Sequence, residues 1–172
     1  MFITHTNCIT SIGNNLTATI ESIKNEISGI SPSNKFAQLG TIYTSQLDDS
    51  LLQDINTLYF SRLEKYLIEV IKPLIDKKPI SEKSVLIISS TKGNISNLTN
   101  TLTNPSEVNL GMMAKRINKY LGFKTEPIVV SNACVSGLQA ISVAKRMLEF
   151  DYCDEVYIIA GDEISDFGPF RL

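Results

Sequence analysis

The residues best placed to do chemistry lie between Pro127 and Glu163, in the segment PIVVSNACVSGLQAISVAKRMLEFDYCDEVYIIAGDE. Cys134 falls where an apolar, β-branched run gives way to a helical pattern, so it sits where a strand ends and a helix begins. Free N–H groups and the positive dipole end at such a position favour a thiolate. The same N–H groups can hold a developing oxyanion. Ser131, Ala133, Ser136 and Gly137 are small, which permits a sharp strand-to-helix turn. The mechanics are those of the nucleophile elbow, although the spacing is not G-x-S-x-G. A buried thiol acting as a small hydrophobe is the plain alternative for Cys134, and the favoured one for Cys8 and Cys153.

Other chemistries find little support. His5 is the sole histidine and stands at the terminus with no partner nearby in sequence, so a structural role is expected. Three widely spaced cysteines and one histidine make no zinc pattern, and no metal or cofactor site is expected. The odd cysteine count and the lack of a basic, apolar leader point to free thiols in the cytoplasm. The sequons at Asn15, Asn94 and Asn97 then carry no meaning. A net charge of −2 gives no footprint for nucleic acid or an anionic membrane, and no apolar run is long enough to span a bilayer. Lys92-Gly93 lacks the rest of a phosphate loop, and Asp166-Phe167-Gly168 lacks the other kinase motifs. Met112-Met113 could line an acyl pocket, but core packing is the favoured reading. Asp162-Glu163 could be an acid/base pair or a structural turn.

Several elements must position Cys134. The composition, 43% hydrophobic and 20% charged over 172 residues, is that of one globular domain. Residues 2–4 and 8–12 read as a first strand with its exit turn at Gly13. Leu16, Ile20, Ile23 and Ile27 recur at helical spacing up to Gly29. Residues 31–46 read as a loop and 50–75 as a helix ended around Pro73 and Pro79. The run 85–88 is continuous and apolar, as a parallel strand buried on both faces would be. A polar loop, 91–106, precedes a helix from Val108 to Tyr120 that ends at Gly122. Strands at 127–130 and 156–160 flank a helix from Val135 to Phe150. The alternation predicts an α/β fold with a mostly parallel sheet, helices on both faces and a right-handed crossover around Cys134. Residues 133–144 contain no charge, so the last helix is expected to be buried nearly all round. Such burial requires a further layer of structure beyond it.

At these residues the chain resembles the β-ketoacyl-[acyl-carrier-protein] synthases of the thiolase superfamily. The resemblance rests on Asn132-Ala133-Cys134-Val135-Ser136-Gly137, then Gln139-Ala140-Ile141 and Ala144, against a family pattern T-A-C-x-S-G, A-I and A. Asp154 and Ala160-Gly161-Asp162-Glu163 are similar to its D-x-V…G-G-x-E segment. Residues 3–14 resemble its opening V-T-G-x-G-x-V-T-P-L-G, and Gly29-Ile30 its S-G-I. His5, Asn7, Asn132, Ala160 and the turn 89–93 depart from the pattern and imply a divergent branch, of polyketide or pigment type rather than housekeeping fatty-acid synthesis.

The resemblance implies a thiolase-like half, residues 1–172 forming one N-terminal-type domain whose C-terminal half is absent. It implies an acyltransferase in which Cys134 is the nucleophile and its backbone N–H an oxyanion donor. Substrates would be phosphopantetheine thioesters on acyl carrier protein, joined by decarboxylative Claisen condensation in fatty-acid or polyketide synthesis. The family's decarboxylating histidines belong to the other half, so the isolated chain is expected to be inactive. Implied partners are acyl carrier protein, a missing half or partner synthase subunit, and a second copy paired around 128–131; nucleic acid and membrane are not among them. The alternatives are a non-catalytic ketosynthase-like scaffold, which the missing histidines favour and Cys134 opposes, or another thiolase-fold enzyme.

Overall fold

The computed structural model describes residues 1–34, 40–52, 60–99 and 108–164. Its centre is a parallel three-stranded sheet. The strand predicted at 85–88 is β3 (Ser84–Ser89), buried along its whole length. It pairs on one side with β4 (Ile128–Val130) and on the other with β5 (Glu155–Ala160), giving the order β4-β3-β5. Side chains of a strand alternate between faces. Leu86 and Ile88 accordingly join one core, while Val85 and Ile87 join the other.

The first core lies under α2 (Arg62–Ile75) and α3 (Leu110–Leu121), which contribute Leu63, Leu67, Ile68, Ile71, Met113, Ala114 and Ile117. Helix α2 starts at Arg62 because Ser61 and Glu64 form a reciprocal capping box. The Glu64 side chain is fully buried and also takes Arg116 of α3, at 2.7 Å, which ties the two helices together. Helix α3 is capped by Asn109, whose Oδ1 accepts the N–H groups of Gly111 and Met112. It ends at Gly122 with φ of +84°, a conformation that glycine adopts without penalty. The second core lies under α4 (Ser136–Glu149), with Ala140, Ala144 and Cys153 against Val85, Ile87 and Val130.

Five expectations need correction. Residues 2–4 and 8–12 form no strand; residues 1–6 are exposed, and Thr10 and Gly13 make only an isolated bridge. The segment is held instead by Asn7, whose side chain donates to Val70 C=O and accepts the Leu16 N–H. The helix at 16–29 is shorter, α1 (Leu16–Lys24); Ile20 and Ile23 within it and Ile27 beyond it are all exposed, so no core extends the apolar stripe. Within the expected loop 31–46, β1 (Ile30–Ser33) and β2 (Ile42–Ser45) form an antiparallel ladder. Three of the four β1 residues are exposed, so backbone pairing holds this ladder and leaves little hydrophobic signature. The expected helix 50–75 is a 3-10 turn, Asp49–Leu52, then α2; residues 53–59 lie outside the described residues. The fifth correction concerns α4. Its small residues Ser136, Ala140 and Ala144 are buried, while Val135, Leu138 and Ile141 are exposed.

Candidate active site

Three loops meet at the carboxyl edge of the sheet, following β3, β4 and β5. Ligands of open parallel sheets bind at this edge. The Ser90 N–H donates to Val130 C=O at 3.3 Å, and the Gly161 N–H donates to Ser89 C=O at 3.0 Å, so hydrogen bonding continues past the strand ends. The Asp162 carboxylate fastens the β5 loop to the β3 loop. Its Oδ1 accepts from Ser90 Oγ at 2.8 Å and from the N–H groups of Thr91 and Lys92, while Oδ2 accepts from Thr91 Oγ1 at 2.9 Å. With both oxygens accepting hydrogen bonds, Asp162 clamps the two loops together. No spacing rule connects residue 162 to 90–92, so sequence reasoning missed these partners.

Cys134 lies in the loop that follows β4, an edge strand of the sheet; it is exposed, two residues before α4. Ala133 has φ of +44°, which non-glycine residues rarely adopt, so the chain turns sharply between β4 and the helix. Asn132 and Cys134 form an isolated bridge across that turn. The Ser136 hydroxyl accepts the Asn132 N–H at 2.7 Å and donates to Ala133 C=O at 2.7 Å. Val135, the N-cap residue, offers no side-chain hydrogen bond. Among the described residues, the N–H groups of Cys134, Gly137 and Leu138 have no backbone or side-chain acceptor. The arrangement can present a thiol and, beside it, free donors for a negatively charged oxygen. The expected turn is present, whereas the Ser136 bonds were not foreseen.

The remaining candidates lie elsewhere. His5 is exposed on the N-terminal segment, which lines a groove of about 1180 Å³ along the outer edge of β5 that Cys134 does not reach. His5 and Cys134 are thus not brought together there. Cys8 is half-buried; Cys153 is buried in the second core, and burial pushes its thiol pKa up. Met113 is core, and Met112 is on the surface. Asp166-Phe167-Gly168 lie outside the described residues. Among the described residues no group of three or more acidic, histidine or cysteine side chains could hold a metal, and no helix is long and apolar enough to cross a membrane.

No family model and no curated protein matches the chain. Solved structures do. The ishigamide ketosynthase/chain length factor superposes with a TM-score of 0.73 and 17% identity, over 94% of this chain and 54% of that one. The ketosynthase ApeO in complex with its chain length factor ApeC, from Xenorhabdus doucetiae, gives 0.70 and 18%, over 96% and 48%. The ketosynthase from module 6 of the bacillaene synthase of Bacillus subtilis 168 gives 0.64 and 14%, over 86% and 28%. The chain spans about half the length of the first two matched chains. The chain thus has the thiolase-like half fold of these ketosynthase and chain length factor structures.

Proposed function

We propose that this chain is one half of a ketosynthase-type acyltransferase, with residues 1–172 acting as a single N-terminal-type domain. The observation that carries the reading is Cys134, exposed on a left-handed turn at the head of α4, beside free backbone donors, in this fold. The Cys134 thiolate attacks the carbonyl carbon of an acyl thioester borne by the phosphopantetheine of an acyl carrier protein. The carrier thiol leaves with a proton, and the acyl group stays on Cys134. The free N–H groups of Cys134 and its neighbours stabilise the tetrahedral oxyanion. In the completed enzyme a malonyl carrier protein loses CO2, and the resulting carbanion attacks the acyl-Cys carbonyl and releases the thiolate. The missing half of the fold, or a partner synthase subunit, covers Val135, Leu138 and Ile141, which are 49%, 73% and 37% exposed. The reading places the work in the cytoplasm, with no bound cofactor and with a homodimer as the natural assembly.

The test is intact-protein mass spectrometry after incubation with an acyl carrier protein thioester. The expected result is one added acyl group on Cys134, lost in Cys134→Ala, and no β-ketoacyl product from the chain alone. Product formed without any partner overturns the half-enzyme reading; no acylation, even beside a partner synthase subunit, overturns the nucleophile.

A second reading is a non-catalytic partner. It draws support from the two similar structures that pair a ketosynthase with a chain length factor, and from a sole histidine, His5, which lines a groove that Cys134 does not line. In a reconstituted pair, Cys134→Ala abolishes condensation under the first reading and leaves it intact under the second.

A further inference from the structure

We propose that Ser136 is a positioning residue for Cys134: its hydroxyl holds Ala133 in the left-handed conformation that presents the Cys134 side chain at the head of α4. The inference rests on the reading of Cys134 given above and deepens it. A serine hydroxyl has one proton to donate and two lone pairs to accept with. Ser136 uses it in both directions, accepting from the Asn132 N–H and donating to Ala133 C=O, each at 2.7 Å. Those two groups bracket the backbone torsions of Ala133. A clasp across them therefore fixes Ala133, whose φ, +44°, is unfavourable for an L side chain. Ser136 is itself 5% exposed, so water cannot readily replace the lost partner.

The direction of these bonds is informative. A serine at a helix start usually caps its own helix by accepting a first-turn N–H. Here the hydroxyl points back into the turn, and Val135 supplies no cap. Among the described residues the amides of Gly137 and Leu138, in the first turn of α4, are thereby left without an acceptor. One side chain both shapes the turn and leaves the donors open.

The test measures alkylation of each thiol by iodoacetamide in the purified full chain, read site by site by mass spectrometry, with Cys8 as the internal reference. Thermal melting is recorded alongside. Ser136→Ala is expected to slow Cys134 about tenfold relative to Cys8, the scale of one lost hydrogen bond. Glycine takes positive φ freely. Adding Ala133→Gly to Ser136→Ala therefore restores most of the rate, which no repair of simple core packing would do. An unchanged Cys134 rate in Ser136→Ala overturns the inference and leaves the nucleophile standing. A wild-type Cys134 no faster than buried Cys153 overturns both. If Ser136→Ala does not fold, the double variant decides. Folding with restored reactivity supports the clasp; an unfolded or unreactive double variant overturns it.

Discussion

The two faces of the sheet are finished to different degrees. On the α2/α3 face, Leu67, Ile68, Ile71, Leu86, Ile88, Met113 and Ile117 are each no more than 2% exposed. On the α4 face the buried helix residues are small, Ser136, Ala140 and Ala144, while the large Leu138 points outward at 73% exposure. Small residues inward let α4 sit close to the sheet; large apolar residues outward do not suit water. Charges are placed to match. Glu64 is buried on the first face and joined to Arg116, whereas Lys145 and Glu149 pair in the open on α4. One face is closed by large apolar side chains and a buried ion pair; the other leaves large apolar residues open, with the Cys134 turn at its end.

The sharpest way to break this comparison is to attack the finished face. Arg116→Ala leaves the fully buried Glu64 carboxylate without its cation and should cost about 3 kcal/mol in urea unfolding. A cost below about 1 kcal/mol would mean that water reaches Glu64 and that this face is looser than it looks. Leu67→Ala, at 2% exposure, should also cost about 3 kcal/mol through the cavity it leaves. Leu138→Ala in the lone chain should change stability by only about 0.5 kcal/mol, yet weaken assembly with a partner synthase subunit in titration. Equal costs for Leu67→Ala and Leu138→Ala in the lone chain would erase the contrast.

Tyr66 sharpens the contrast more gently. Its hydroxyl donates to Asp49 at 2.8 Å, so Tyr66→Phe should lose about 1 kcal/mol near neutral pH. Burial, and then that bond to Asp49, push the phenol pKa up from 10.0. The folded chain thus keeps a proton that the unfolded chain releases above about pH 10. Stability is therefore full below that pH and falls as pH rises past it. Tyr66→Phe should flatten the alkaline fall, as read by unfolding at stepped pH. The smallest effect is kinetic: Cys153, buried and with its thiol pKa raised, should be the last of the three cysteines to alkylate.

What was legible in the sequence follows from how each element is stabilised. The run 85–88 was recognisable because a strand buried on both faces is apolar at every position. Helix α3 was bounded to within two residues because Gly122 is a chemical stop signal. The Cys134 turn was visible as small residues between two strong patterns. The ladder of β1 and β2 was not, because backbone pairing among exposed residues leaves no periodicity to read. Residues 2–4 and 8–12 misled for the opposite reason: β-branched residues look like a strand whether or not a sheet edge accepts them. Only the tertiary structure joined Asp162 to the 90–92 loop and Ser136 to the turn before it.

By itself the sequence determined the class of the fold and the position of Cys134 at a strand-to-helix turn, because both depend on local pattern and residue size. The tertiary structure decided which side of α4 is buried, what holds Ala133 left-handed and which carboxylate is spent as a clamp. Those outcomes depend on hydrogen bonds and contacts between residues that the chain order keeps apart, or that only a specific backbone torsion brings within reach.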